Sequence, residues 1–255
     1  MTNPMCRSLI CWLTLLSWVS LIAQSDYTSV DLSGIEEIQI IARLSNVEVI
    51  ATEGDQLEFL HRFKVNETDR SAECVLDQSR TGRQLILRET YPTAEIFEGN
   101  WSMGDRYINS GNLDGEEHDN HQQVSAALVI RVPAGIKVSV QSEYGNFKAE
   151  NLMELGSVEV TYGRIVLNYE RAIPEQGLQL EATYGSIRLR LPAELNARLD
   201  LENQFGSFRS AYAMMIPANG NNRAAGEGHL KAIIGSGGPP LNLRAPYSSV
   251  RLSSY

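Results

Sequence analysis

Five returns of one short phrase constrain this chain more than anything else in it. The phrase reads Glu143-Tyr144-Gly145-Asn146-Phe147, Thr161-Tyr162-Gly163-Arg164-Ile165, Thr183-Tyr184-Gly185-Ser186-Ile187, Gln204-Phe205-Gly206-Ser207-Phe208 and Pro246-Tyr247-Ser248-Ser249-Val250. Successive rings are 18, 22, 21 and 42 residues apart, the last being two steps of 21. A period of about 20 residues built from alternating apolar positions is how stacked β repeats are written in sequence, since each unit buries its apolar face only against its neighbours.

The parity of the alternation says what the phrase does. Leu178, Leu180, Ala182 and Tyr184 share one parity, Gly185-Ser186 shift it, and Ile187, Leu189 and Leu191 resume it. A glycine at such a shift describes a corner or bulge between two short strands. Tyr144, Gly145, Tyr162, Gly163, Tyr184, Gly185, Phe205, Gly206 and Tyr247 are therefore expected to be structural, with the rings inside the coil as a sealing ladder. Ile38, Ile40, Ala42, Leu44 and Ser45 repeat the design, with Leu44 in the aromatic slot and Ser45 in the glycine slot. Val132-Pro133, Ile173-Pro174 and Leu191-Pro192 each end a strand at a proline, which has no amide hydrogen for a ladder. No stretch carries a helical period. The expected class is all-β: a β-solenoid, single-stranded and β-helix-like, of about six rungs with an irregular insertion. A β-sandwich is the alternative, because hairpin-linked strands show the same alternation.

Two stretches break the pattern. Tyr91 to Gln123 scatters Gly99, Gly104, Gly111 and Gly115 among polar residues, and Ala211 to Gly228 is a second Gly/Asn-rich excursion. Both read as insertion loops, at about 91–123 and 211–228, on a single domain spanning 26–255. A turn at Arg80-Thr81-Gly82-Arg83 and an open edge at the last repeat, available to a partner, are also expected. Residues 1–25 read as a signal peptide: Arg7, an apolar run from Ser8 to Ala23, then small residues for cleavage. The run is shorter than the roughly 20 residues a membrane-spanning helix needs, so no transmembrane segment is expected after cleavage. Cys6 and Cys11 would leave with the leader, and Cys74 alone cannot form an internal disulfide. The expected location is outside the cytoplasm: periplasmic, outer-membrane-associated or extracellular.

The Tyr-Gly-x-Ile phrase, the Leu191-Pro192-Ala193-Glu194 connector and the closing Gly235-Ser236-Gly237-Gly238-Pro239-Pro240-Leu241-Asn242-Leu243 resemble the bacterial putative-adhesin β-solenoid family, a domain family of unknown function found in exported proteins. The resemblance covers about Val124 to Ser253 well and Ile35 to Phe63 weakly. Ser248 departs from it at the last glycine, and the rings occupy a slot where small polar residues are usual. It implies a solenoid in the envelope or at the cell surface, and brings no catalytic residue and no cofactor with it.

The remaining chemistry is sparse. Net charge is −9 at a pI near 5.0, which disfavours nucleic acid, because phosphate neutralisation needs clustered Lys and Arg. Gln141, Glu159, Glu181, Glu202 and Arg244, three positions before their rings, share the outward parity, and the three glutamates should form an acidic column, a speculative ligand face, with Arg164 and Arg188 as neighbouring cations. Adjacent carboxylates of that kind suit a glycosidase pair or calcium, but any stacked fold brings them together. Asp114 to His121 is dense in metal-capable groups without calcium-loop spacing, so no metal site is expected; His61 and His229 stand isolated. No nucleophile elbow, HExxH or phosphate loop occurs. The functional expectation is a non-enzymatic, adhesin-like binding or scaffolding module of the bacterial envelope, with an unknown protein or glycan ligand and the 91–123 insertion as one carrier of function. A β-helix-type carbohydrate-active enzyme is the alternative.

Overall fold

The computed structural model describes residues 27–91, 99–103, 106–110, 122–217 and 228–255. The leader and the Asp114–His121 cluster lie outside the described residues. What is described is all-β, with a single 3₁₀ turn at Ser71–Glu73 and two large mixed sheets of ten and twelve strands.

The chain passes from one sheet to the other in a fixed rhythm, and each passage lays down a tier of one strand per sheet. In chain order the tiers are 37–42 with 46–52, 84–90 with 122–133, 137–142 with 147–150, 155–160 with 164–168, 178–182 with 186–191, 197–202 with 208–210, and 240–244 with 249–254. Tiers join through parallel ladders in one register. Ile40, Val140, Val158, Leu180, Leu243 and Leu201 align across the ten-stranded sheet. Val47, Phe147, Ile165, Ile187, Val250 and Phe208 align across the other. Every member of the two rows is buried except half-buried Phe208, so the apolar parity of each strand faces the opposite sheet and the core fills the space between them.

The spatial order of the tiers is not their chain order. Strand 240–244 lies between 178–182 and 197–202, and 249–254 lies between 186–191 and 208–210. At the other end, 37–42 lies between 84–90 and 137–142. The stack therefore runs second, first, third, fourth, fifth, seventh, sixth. This corrects the expectation of an open edge at the last repeat, since the seventh tier is paired on both sides. Antiparallel strands cover three of the four outer tier strands instead: Val75–Thr81 beside 84–90, Leu57–Val65 beside 122–133, and His229–Ile234 beside 197–202, while among the described residues 208–210 has a strand on one side only. Antiparallel covers of this kind occupy backbone groups that a bare parallel edge would leave unpaired.

The two interruptions are partly structured. Gly99–Met103 and Arg106–Ser110 form an antiparallel hairpin, and Gly99–Met103 runs parallel to the start of 122–133. Met214–Met215 pairs with His229–Ile234. Strands this short carry too few alternating apolar residues to show in the sequence. The Arg80–Arg83 turn is found, with Gly82 at φ +59 joining Val75–Thr81 to Gln84–Thr90.

Candidate functional site

The phrase forms a corner where the chain leaves the ten-stranded sheet. Tyr144, Tyr162, Tyr184, Tyr247 and Phe205 stack in that order, neighbouring centroids 5.2–5.3 Å apart and ring planes within 15° of parallel. Half-buried Tyr144 packs against the buried cluster around Leu44 and Phe63, but the other four do not seal the core. Tyr184 is 54% and Phe205 73% exposed, so the ladder lies along the outside of the corner, a correction to the interior placement that parity suggested. Parity holds only while the backbone stays extended, and the corner turns just before the ring. An exposed stack is worth roughly 1 kcal/mol per contact beyond buried area. Tyr184→Ala is accordingly expected to cost about 1–2 kcal/mol, counting both its contacts, in denaturant unfolding, whereas a sealing aromatic would cost about 3–5 kcal/mol.

What closes the corner is backbone. The amides of Tyr144, Tyr162, Tyr184 and Phe205 each donate to a carbonyl of the neighbouring tier, at 2.7–2.9 Å. Such close approach leaves no room for side chains: a Cβ on Gly145 would fall 1.7 Å from the Ser45 carbonyl oxygen, on Gly163 1.9 Å from that of Gly145, and on Gly206 1.6 Å from that of Ser248. Ser248 occupies the column by turning its hydroxyl to the Thr183 carbonyl at 3.1 Å. Asn203, fully buried, donates its amide to the Ala245 and Ser248 carbonyls at 2.7 and 2.6 Å, tying the sixth tier to the seventh.

At the opposite end of the column His61 is not isolated. The Glu89 carboxylate accepts the backbone N–H groups of Arg43, Leu44 and Ser45 at 2.7, 2.9 and 3.2 Å, together with the Ser45 hydroxyl. His61 Nε2 lies 2.8 Å from the same carboxylate and 3.2 Å from Ser45 Oγ. A nucleophilic relay needs the acid on one ring nitrogen and the serine on the other. Here both meet Nε2, in a buried setting, which makes Glu89 a cap for the donors of the corner rather than part of a triad. Burial opposes ionisation of Glu89, but hydrogen bonds from His61 and Ser45 outweigh it and hold the carboxyl at about 2. Nearby Cys74 is pushed up to about 12, chiefly by burial and then by the Glu89 charge, so its thiol stays protonated and unreactive.

Glu159, Glu181 and Glu202 do share the outer face of the ten-stranded sheet. They are not a continuous acidic column, because the intercalated seventh tier sets Arg244 between Glu181 and Glu202. Its guanidinium reaches Glu181 at 3.5 Å and Glu202 at 3.3 Å. Arg164 and Arg188, expected as neutralisers, stand on the other sheet. From Gln141 onward the row reads Gln141, Glu159, Glu181, Arg244, Glu202, His229, and on the other side of Gln141 it continues to Ile41 and Arg88. Beside it runs an uncharged row, Ser157, Gln179 and Asn242, ending at Asp200, whose carboxylate is held low, against burial, by His229 at 2.6 Å and Lys231 at 3.4 Å.

These rows line a trough. Its largest section, about 590 Å³, spans Ser157 to His229; a second of about 400 Å³ meets it at Glu159, and a third of about 360 Å³ shares Ser157, Gln179 and Asn242 with it. Adjoining sections thus share lining residues from tier to tier. Sequence reasoning put the three glutamates and Arg244 on one outward parity, but not Arg244 between two of them, because that place depends on tier order. Among the described residues no cluster of three or more His, Cys, Asp or Glu suits a metal, and no helix is long and apolar enough to cross a membrane.

The class that fold and site define is an all-β protein with a polar trough along stacked strands. No family model matches the chain, and no curated protein is recognisably similar to it. Its fold is similar to that of a Clostridium sporogenes protein whose crystal structure is described as that of a "putative cell adhesion protein", with a TM-score of 0.55 over 90% of this chain and 98% of that one. The two share 13% sequence identity, so the likeness is one of fold.

Proposed function

We propose that this protein is an exported, non-enzymatic, adhesin-like binding module of the bacterial envelope, built as a β-solenoid, and that the trough on its ten-stranded sheet holds a glycan. The polar trough, with its adjoining sections, carries this reading. Its floor is set by the tier register, and its amide, hydroxyl and carboxylate groups repeat at the strand spacing of about 4.8 Å. An extended ligand with a repeating hydrogen-bonding pattern, as in a polysaccharide, complements a floor of that kind. Export is supported by the Arg7–Ala23 leader pattern, the solenoid by the one-register parallel tiers, and the adhesin-like role by the likeness to the clostridial protein. A binding role is favoured over catalysis because two of the three glutamates are committed to Arg244, and because the buried Ser45–His61–Glu89 contact has the wrong geometry for a relay.

Binding of the purified protein to bacterial envelope preparations and to a glycan array tests the proposal. Ser157→Arg, which fills the trough floor from a half-buried position, is expected to weaken attachment at least tenfold without moving the thermal midpoint by more than a few degrees. Attachment that survives Ser157→Arg and is lost on deleting 92–121 would move the site to the insertion. Release of reducing sugar from a bound polysaccharide would replace the binding reading with the enzymatic one.

A further inference from the structure

Within that reading of the trough, we infer a preference for polysaccharides carrying free amines, with Glu159 as the anchor. The sections of the trough meet at Glu159, so it stands at the middle of any extended ligand. Its neighbours on the floor are committed elsewhere. Arg244 bridges Glu181 and Glu202, Asp200 takes His229 and Lys231, Arg43 pairs with Glu143 at 3.5 Å, and Lys137 pairs with Glu37 at 3.5 Å. Arg88, the other cation of the Glu159 row, is three strands away, beyond Ile41 and Gln141. Glu159 itself is exposed and has only the Gln141 amide, at 3.5 Å. Among the carboxylates that line the trough it is therefore the one with no cation within 4 Å, next to a second carboxylate, Glu181, that shares its only cation.

An ammonium group bound between the two would relieve their repulsion and form charge-assisted hydrogen bonds. An acidic polysaccharide would add to the repulsion instead. The uncharged Ser157, Gln179 and Asn242 beside the charged row can give and accept hydrogen bonds to ring hydroxyls, which suits a chain of amino sugars laid along the stacking axis.

Titration calorimetry of the full protein with three polymers tests this: a soluble, partly deacetylated N-acetylglucosamine polymer, its fully acetylated oligomers, and polygalacturonate. The expected result is binding of the deacetylated polymer, weakened about tenfold by Glu159→Gln and again by raised salt, with weaker binding of the acetylated oligomers and none of polygalacturonate. Glu170→Gln, an exposed carboxylate outside the trough, should leave affinity unchanged; an equal loss there would mean unspecific attraction to a protein of charge −9 and overturn the inference. Equal affinity for acetylated and deacetylated polymers, or insensitivity to Glu159→Gln, overturns it too. If Ser157→Arg still abolishes attachment in either case, the trough survives as the binding surface and only the amine preference falls. If no polymer binds and Ser157→Arg changes nothing on envelopes, both fail.

Discussion

Gly185→Ala is expected to destabilise the protein by about 4 kcal/mol, at the far end of what single substitutions do. The added Cβ would lie 1.4 Å from the Gly163 carbonyl oxygen and 2.5 Å from its carbonyl carbon. Both are backbone atoms of the next tier, so no side chain can swing away and two parallel ladders must part. A side chain added at a glycine in an open turn should do little. Gly82, at φ +59, has nothing within 4 Å of a Cβ, so Gly82→Asn should cost under about 1 kcal/mol, because Asn tolerates the left-handed region. Urea unfolding of the two variants separates them. Similar losses would mean that the corner column is not packed backbone on backbone.

Glu89→Gln should cost about 3 kcal/mol, the scale for removing one partner of a buried charged pair. The amide cannot accept at both of its atoms, so either a corner N–H or the Ser45 and His61 side chains lose an acceptor. The pH dependence follows from the same contacts. Glu89 has its carboxyl lowered from 4.5 to about 2 in the folded chain. A depressed carboxylate contributes stability that is complete above its unfolded value. That contribution, about 3 kcal/mol, is therefore present above pH 4.5 and lost as pH falls from there through about 2. Wild-type stability should drop across this window while that of Glu89→Gln should change less. Parallel curves would mean that Glu89 is not ionised in the fold.

The sequence made the strands, their inward faces and the corner positions legible, because alternation and the Tyr-Gly phrase are local signals. Ile40, Val140, Val158, Leu180, Leu201 and Leu243 fall in one buried row as their parity required. Tier order was not legible. The 42-residue step from Phe205 to Tyr247 reads as a missing repeat, whereas the chain doubles back through the antiparallel His229–Ile234 and inserts its last tier one place inward. Nothing local in the sequence encodes which ladder a strand joins, and Arg244 could not be placed without it. The glutamates of the trough were therefore found, but their electrostatics were misjudged. Glu89 was missed for a different reason: it acts 44–46 residues from its acceptor role at Arg43–Ser45, with no motif to mark it.

The trough and its charge pattern rest on the seventh tier lying between the fifth and sixth, and paired cysteines test that directly. Neighbouring parallel strands bring Cα atoms within the 4.4–6.8 Å that a disulfide spans, while strands two places apart exceed about 7 Å. Oxidation of a variant carrying Gln179→Cys and Asn242→Cys in a Cys74→Ser background should form an internal cross-link, since these residues are direct partners. The Gln179→Cys, Asp200→Cys variant should remain reduced. A cross-link in the second variant and none in the first would place the tiers in chain order and contradict the account.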